Sequence, residues 1–294
     1  MSIKKPLTPK GNQISFHQPH GIAKSSWSSF SCRKLLGHNG LLSNKLFSPS
    51  PASHKGQNGV ALIIGGGRKY HGSAVLAVLA ASRFVDLLYF YSPSKMPYFF
   101  VRKATPCVIC ISKNELGTHV KRADCILIGP GMDKTKQTKS LVRQVLSTKK
   151  SCILDATALR IVEKKYLHNK ATLTPNVREF EFLFGEKPTK QSVSFCAKQY
   201  NCNILLKGKK DTIATSDGKL YIIKGGNAGM TKGGTGDTLA GLLCALLCKN
   251  KTLYALLAAS CANKKAGEML ARKYGLNYSA LDVANELPKT LNLK

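Results

Sequence analysis

The stretch that most restricts what this chain can fold into is Gly225-Gly-Asn-Ala-Gly-Met-Thr-Lys-Gly-Gly-Thr-Gly-Asp-Thr-Leu-Ala-Gly241. It joins a β-rich run, Lys219 to Lys224, to an apolar run, Leu239 to Cys248, that reads as a buried helix. Glycines at 233, 234 and 236 let the backbone reach positive φ and come close to a ligand with no Cβ in the way. A helix beginning near Gly236 leaves its first N–H groups unpaired and turns the positive end of its dipole to the turn. Such a turn takes an anion, most naturally a phosphate, and the anion hole is expected at Gly234, Thr235 and Gly236. An acid in the same place, Asp237, has two readings. It caps the helix, or it accepts the proton of a hydroxyl attacking a phosphoryl group while the N–H groups hold the developing charge. The glycine density before it favours the second.

Other strand ends carry further candidates. Val60 to Ile64 reads as a buried strand, followed by Gly65-Gly-Gly67 and an apolar helix from about Gly72 to Phe84. That unit suits close approach of a phosphate or sugar, although its glycine spacing fits a dinucleotide fingerprint poorly. Ala123 to Ile128 delivers Gly129-Pro-Gly131, either a pocket wall at the C-terminal sheet edge or a plain turn. Ile153-Leu154 ends in Asp155, which could orient a substrate or metal, or cap a helix. A further strand ends at Thr174-Pro175, with Glu179 in the first turn of the next helix, where the dipole favours an acid. Cys202 to Leu206 leads to Lys207-Gly208, and a hairpin turns at Ser216-Asp217-Gly218. Lys207 is a candidate phosphate partner, whereas Lys209 and Lys210 could be solvated loop charges. Strands alternating with helices, with ligand residues at strand ends, predict a parallel-sheet, three-layer α/β domain. Residues 1 to about 50 are Ser-, Lys-, His- and Pro-rich without a carboxylate, and predict a flexible basic tail before one domain over 51–294.

Gly233-Gly-Thr-Gly-Asp237 resembles the Gly-x-Gly-Asp signature of ribokinase-like proteins. The longer string Asn227 to Gly241, with Ser53-His-Lys-Gly and the Gly-Gly and Gly-Pro-Gly turns in the same order, is similar to one branch, the ADP/ATP-dependent NAD(P)H-hydrate dehydratases. The resemblance implies a three-layer ribokinase-like fold with a mostly parallel central sheet. It implies a hydro-lyase that phosphorylates the ring hydroxyl of hydrated NADH or NADPH and then eliminates phosphate. On this resemblance Asp237 is the catalytic base, and Gly72, Ser73, Ala74, Gly129, Gly131, Asn176 and Asp237 contact the hydrated cofactor. Lys207, Gly208, Lys209, Lys210, Asp211 and Gly236 contact the nucleotide, and Glu179, in an Asn-x-x-Glu element, organises Mg2+ through water. The expected co-substrate is ADP or ATP, the expected assembly a homo-oligomer, and no epimerase-like domain is expected before residue 51. One departure stands out: most dehydratases compared have His where this chain has Asn176. It keeps a second reading open, a small-molecule kinase of the same superfamily acting on a vitamin-like alcohol.

Composition narrows the setting. With 45 Lys and Arg against 15 Asp and Glu the formal charge is +30, which suits polyphosphate substrates and non-specific nucleic-acid contact. No aromatic-interleaved basic run or nucleic-acid motif accompanies it, so specific nucleic-acid binding is not expected. No apolar run approaches the roughly 20 residues that span a bilayer. Most of the ten cysteines sit in apolar surroundings as small hydrophobes. Cys107-Val-Ile-Cys110 lacks the second pair of a zinc finger. A reducing cytoplasm is therefore expected. An acid-poor, Ser-rich N-terminus also resembles an organellar transit peptide, the lesser alternative because Lys outnumbers Arg and the amphipathic pattern is weak.

Overall fold

Runs such as Val60–Ile64 and Cys125–Ile128 are apolar on consecutive residues, so both of their faces must be covered, which is the signature of a sheet between two helical layers. The computed structural model describes residues 27–36, 40–42 and 44–291. Its strands are β1 (Trp27–Ser31), β2 (Val60–Ile64), β3 (Leu87–Tyr91), β4 (Val108–Cys110), β5 (Cys125–Ile128), β6 (Ser151–Leu154), β7 (Ala171–Leu173), β8 (Asn203–Leu206), β9 (Lys210–Ala214) and β10 (Leu220–Lys224). Its helices are α1 (Cys32–Leu36), α2 (His71–Ala81), α3 (Met96–Ala104), α4 (Leu116–Arg122), α5 (Lys136–Ser147), α6 (Thr157–Ile161), α7 (Val177–Phe184), α8 (Lys190–Gln199), α9 (Thr235–Leu247), α10 (Thr252–Tyr274) and α11 (Ala280–Glu286). The sheet runs β1-β10-β9-β8-β7-β6-β5-β2-β3-β4, with only the β8–β9 and β9–β10 pairings antiparallel. The mostly parallel three-layer architecture expected from the sequence is the one observed.

Period-two alternation divides the core. Ile63, Phe90, Leu127 and Ile153 face one layer, built mainly from α2, α9 and α10. Their strand neighbours Leu62, Tyr89, Ile126 and Leu154 face the other, built from α4, α5, α7 and α8. On the first side α9 lies directly against α2. A Cβ at Gly241 would sit 2.1 Å from the Ala77 carbonyl oxygen, so this crossing exists only because residue 241 has no side chain. The crossing fixes where the N-termini of both helices meet, at the C-terminal edge of the sheet.

The N-terminal segment departs from expectation. Residues 1–26 lie outside the described residues, but the described residues between 27 and 50 are not a detached tail. β1 adds as a parallel edge strand to β10, and α1 packs on α10 with Cys32, Leu35 and Leu42 buried. The Phe47 N–H donates to Asn250 Oδ1 at 2.6 Å, carrying the segment across to the α9–α10 turn. Sequence reasoning missed this because an edge strand needs only backbone pairing on one side, and Trp-Ser-Ser-Phe-Ser carries too few apolar residues to show a period. Removing residues 1–50 should therefore lower the melting temperature by several degrees, and Leu35→Ala alone should cost about 2–4 kcal/mol. Thermal unfolding of residues 51–294 beside the full chain checks this; equal melting temperatures would show that the segment contributes nothing.

Candidate active site

Three adjacent parallel strands, β6, β7 and β8, end side by side, and each delivers a polar residue immediately past its last apolar one. These are Asp155, Thr174 and Lys207. A backbone bridge between Asn176 and Lys207 extends the β7–β8 pairing past the strand ends, and the Lys207 N–H donates to the Pro175 carbonyl at 2.8 Å. Lys207 Nζ lies 2.8 Å from Asp155 Oδ1 and 3.9 Å from Glu179 Oε2. The same Asp155 oxygen accepts the Thr174 hydroxyl at 2.7 Å. Glu179 forms a capping box with Asn176: the Asn176 N–H donates to its carboxylate at 2.8 Å, and its own N–H donates to Asn176 Oδ1 at 2.9 Å.

Asp237 enters this cluster from the opposite helical layer. Gly234, in the left-handed region at φ 99°, caps α9, and no side chain caps that end. A Cβ there would lie 2.4 Å from Leu76 Cδ1. Asp237 is thus the third residue of the helix, not its cap, and its carboxylate faces Ser73 at the start of α2, whose hydroxyl favours its charged form. The capping reading does not describe this site. The N–H groups of Gly236 and Asp237 have no protein acceptor among the described residues, while that of Thr235 makes a long 3.5 Å bond to the Lys232 carbonyl. A Cβ at Gly236 would be 3.3 Å from Lys207 Nζ, so free N–H groups and ammonium converge on one spot.

The electrostatics follow from burial. Burial pushes the Asp237 carboxyl up and the Asp155 charge adds to it; the Ser73 hydroxyl and Lys207 pull it down, and Glu179 raises it again, leaving it at about 7. Burial alone would depress the Lys207 ammonium, but Asp155 and Glu179 more than offset this and hold it above its usual value. The result is a fixed cation beside a carboxyl that changes charge near neutrality.

From Lys207 a cleft of about 620 Å3 runs between the β8–β9 turn, the Gly225–Thr231 loop and α10. Chemically this arrangement can hold an oligophosphate against free N–H groups and an ammonium, with a proton acceptor beside it.

Residues 61–289 match the family described as NAD(P)H-hydrate dehydratase. The chain belongs to that family. It is 33% identical over 266 residues to the ADP-dependent (S)-NAD(P)H-hydrate dehydratase of Nitrosopumilus maritimus, covering 83% of this chain and 92% of that one. It is 32% identical over 251 residues to the bifunctional NAD(P)H-hydrate repair enzyme Nnr of Methanocaldococcus jannaschii, matching 82% of this chain and 50% of the relative. The chain therefore spans about half the length of the bifunctional relatives it matches. Among solved structures it superposes at TM-score 0.76 and 27% identity on the ADP/ATP-dependent NAD(P)H-hydrate dehydratase from Bacillus subtilis co-crystallized with ATP/Mg2+, over 85% of this chain and 94% of that one. A ribokinase-like superfamily protein from Enterococcus faecalis, at TM-score 0.80 and 23% identity over 92% of this chain and 97% of that one, shares the fold.

Within this dehydratase-family frame the expected site residues divide. Asp237, Gly236, Lys207, Asn176 and Ser73 lie together, and Gly208 and Lys209 line the cleft. Gly72 lies open beside Ser73. Gly129 and Gly131 are packing residues: a Cβ at Gly129 would meet the Asp155 carbonyl, and one at Gly131 the Tyr70 carbonyl. Ala74 is fully buried in the core against the sheet, not open to a ligand. Lys210 is exposed outside the cleft wall. Asp211 also lines the cleft, where it accepts the Ser260 hydroxyl at 2.7 Å, pairs with Lys264 Nζ at 3.1 Å and so shapes the β8–β9 turn. Sequence reasoning passed over Ser260, Asn263, Lys264 and Gly267. Their i, i+3, i+4, i+7 spacing, a polar stripe on a helix otherwise rich in Ala and Leu, was the available signal.

The raised carboxyl has a consequence for stability. Between its unfolded value of 3.8 and its folded value of about 7, the folded protein binds more protons than the unfolded chain at Asp237. Its contribution to stability thus falls as pH rises through that window. Asp237→Asn should match the parent near pH 4 and melt at a higher temperature at pH 8. Parallel melts at the two pH values test this, and a variant less stable than the parent at pH 8 would contradict it.

Proposed function

We propose that this chain dehydrates hydrated NADH or NADPH back to the working cofactor, using ADP or ATP as phosphoryl donor. The observation that carries the reading is the meeting of Asp237, Lys207 and the free N–H groups of α9 at the head of the cleft. Asp237, ionised above about pH 7, takes the proton of the ring hydroxyl. The hydroxyl oxygen bonds to the terminal phosphorus as the bond to the rest of the nucleotide breaks, releasing AMP from ADP or ADP from ATP. The N–H groups of Gly236 and Asp237, with Lys207, hold the charge on the transferring oxygens. Phosphate then leaves with the C–O bonding pair while the neighbouring ring carbon loses a proton, which restores the ring double bond. Ser73 holds the Asp237 carboxylate toward the hydroxyl.

The donor set fits Mg2+ carried on the nucleotide, not caged by protein. Among the described residues no group of three or more His, Cys, Asp or Glu is arranged to hold a metal ion. Glu179 already receives the Asn176 N–H and Asp155 holds Lys207. Glu179 would reach such an ion through water, and the ion would neutralise phosphate charge. A cytoplasmic setting agrees with ten free cysteines and, among the described residues, with no helix long and apolar enough to cross a membrane. The homo-oligomer stays a proposal drawn from the family resemblance.

Hydrated NADH supplied with ADP or with ATP should regain NADH absorbance, with one phosphate released per ring restored. Asp237→Asn should lower turnover by about 10²–10⁴ while nucleotide binding persists. Asn176→His should be tolerated, because Asn176 acts through hydrogen bonds that His can also make. No absorbance recovery with either nucleotide, together with phosphorylation of a vitamin-like alcohol, would replace this reading by the kinase one.

A further inference from the structure

Asn263 lies on α10 in the wall of the cleft and is only 6% exposed. Its Oδ1 is buried with no hydrogen-bond partner, and its amide nitrogen has none among the described residues. A buried amide left unpaired is costly, and most such groups are satisfied. Its neighbours on the same helix are satisfied: Ser260 bonds Asp211, and Lys264 bonds both Asp211 and the Gly208 carbonyl at 3.1 Å. Asn263 is therefore the polar group of this wall that the protein itself leaves unpaired.

Its position indicates which part of a ligand it meets. The phosphate end of the cleft is marked by Lys207 and Gly236. Asn263 shares a face of α10 with Gly267, one turn on, where a Cβ would sit 2.4 Å from Met230 Sδ. Met230, Ala228 and Leu239 line the cleft beside it, an apolar setting suited to a flat heterocycle. A carboxamide offers one acceptor and one donor side by side, the complement of adenine's exocyclic amine and adjacent ring nitrogen.

We infer that Asn263 is the base-reading residue of this cleft, its amide pairing with the exocyclic amine and neighbouring ring nitrogen of an adenine nucleotide. The inference rests on the nucleotide-dependent reading above and adds how the donor's base is recognised. Titration calorimetry of the full chain should compare ADP with purine riboside diphosphate, which lacks the amine. Wild type should favour ADP by about tenfold or more, because the analogue leaves the buried oxygen unpaired. In Asn263→Ala the two nucleotides should bind within about twofold of each other, because the residue that tells them apart is gone. Equal binding of both by wild type would overturn the inference whether or not the variant folds, as would a full preference retained in Asn263→Ala. Failure of both nucleotides to bind would sink the functional reading as well, whereas binding of both without preference would remove only the role of Asn263.

Discussion

The site depends on one largely buried ammonium set among carboxylates. Lys207 is inserted between Asp155 and Glu179 at the ends of neighbouring parallel strands, and Asp237 closes the group from the other layer. Burying these charges is expensive, and such a cluster persists only when each member has a partner. Asp155 has both Lys207 and Thr174, and Glu179 has the Asn176 N–H. At Asp237 burial, Asp155 and Glu179 oppose the charge and only a neutral hydroxyl and Lys207 favour it, so it is the member whose charge is least favoured. Reactivity at neutral pH follows from that inequality.

Two features of the fold bring the inequality about. Parallel pairing of β6, β7 and β8 puts the polar residues following each strand at one edge, within reach of one another. The close α2–α9 crossing at Gly241 holds Ser73 against Asp237. The chain as a whole carries +30, yet Asp155, Glu179 and Asp237 gather around Lys207, and Asp211 pairs with Lys264 in the adjoining cleft. The basic excess therefore lies mainly outside the reacting centre, where it can draw in polyphosphate without fixing every carboxylate in its ionised form.

Much of this was legible in the sequence because it is local. The glycine turn before Asp237 announces a helix N-terminus, and Lys207 closes an apolar run that can only be a buried strand. What was not legible is long-range. Asp155 offered no sign of whether it would meet a ligand, a metal or another side chain, because its partner lies 52 positions away. Gly129 and Gly131 looked like pocket walls, but the contact requiring them to be glycine is with a backbone from another loop. Asp211 lines the cleft, but its pairing with Lys264 and Ser260, on a helix far along the chain, left no mark in the local sequence. β1 escaped notice because edge pairing leaves little mark on side-chain pattern.

The central claim is that the buried cluster, with Asp155 the largest charge acting on it, sets the proton affinity of Asp237. The direct test is the pH dependence of kcat/KM for hydrated NADH at saturating nucleotide, in wild type and in Asp155→Asn. This quantity reports the groups of the enzyme before the hydrated cofactor binds. Wild type should lose activity as pH falls through about 7, and neutralising residue 155 should move that limb to lower pH. A wild-type profile flat between pH 6 and 8, or a limb unmoved by Asp155→Asn, would contradict the account.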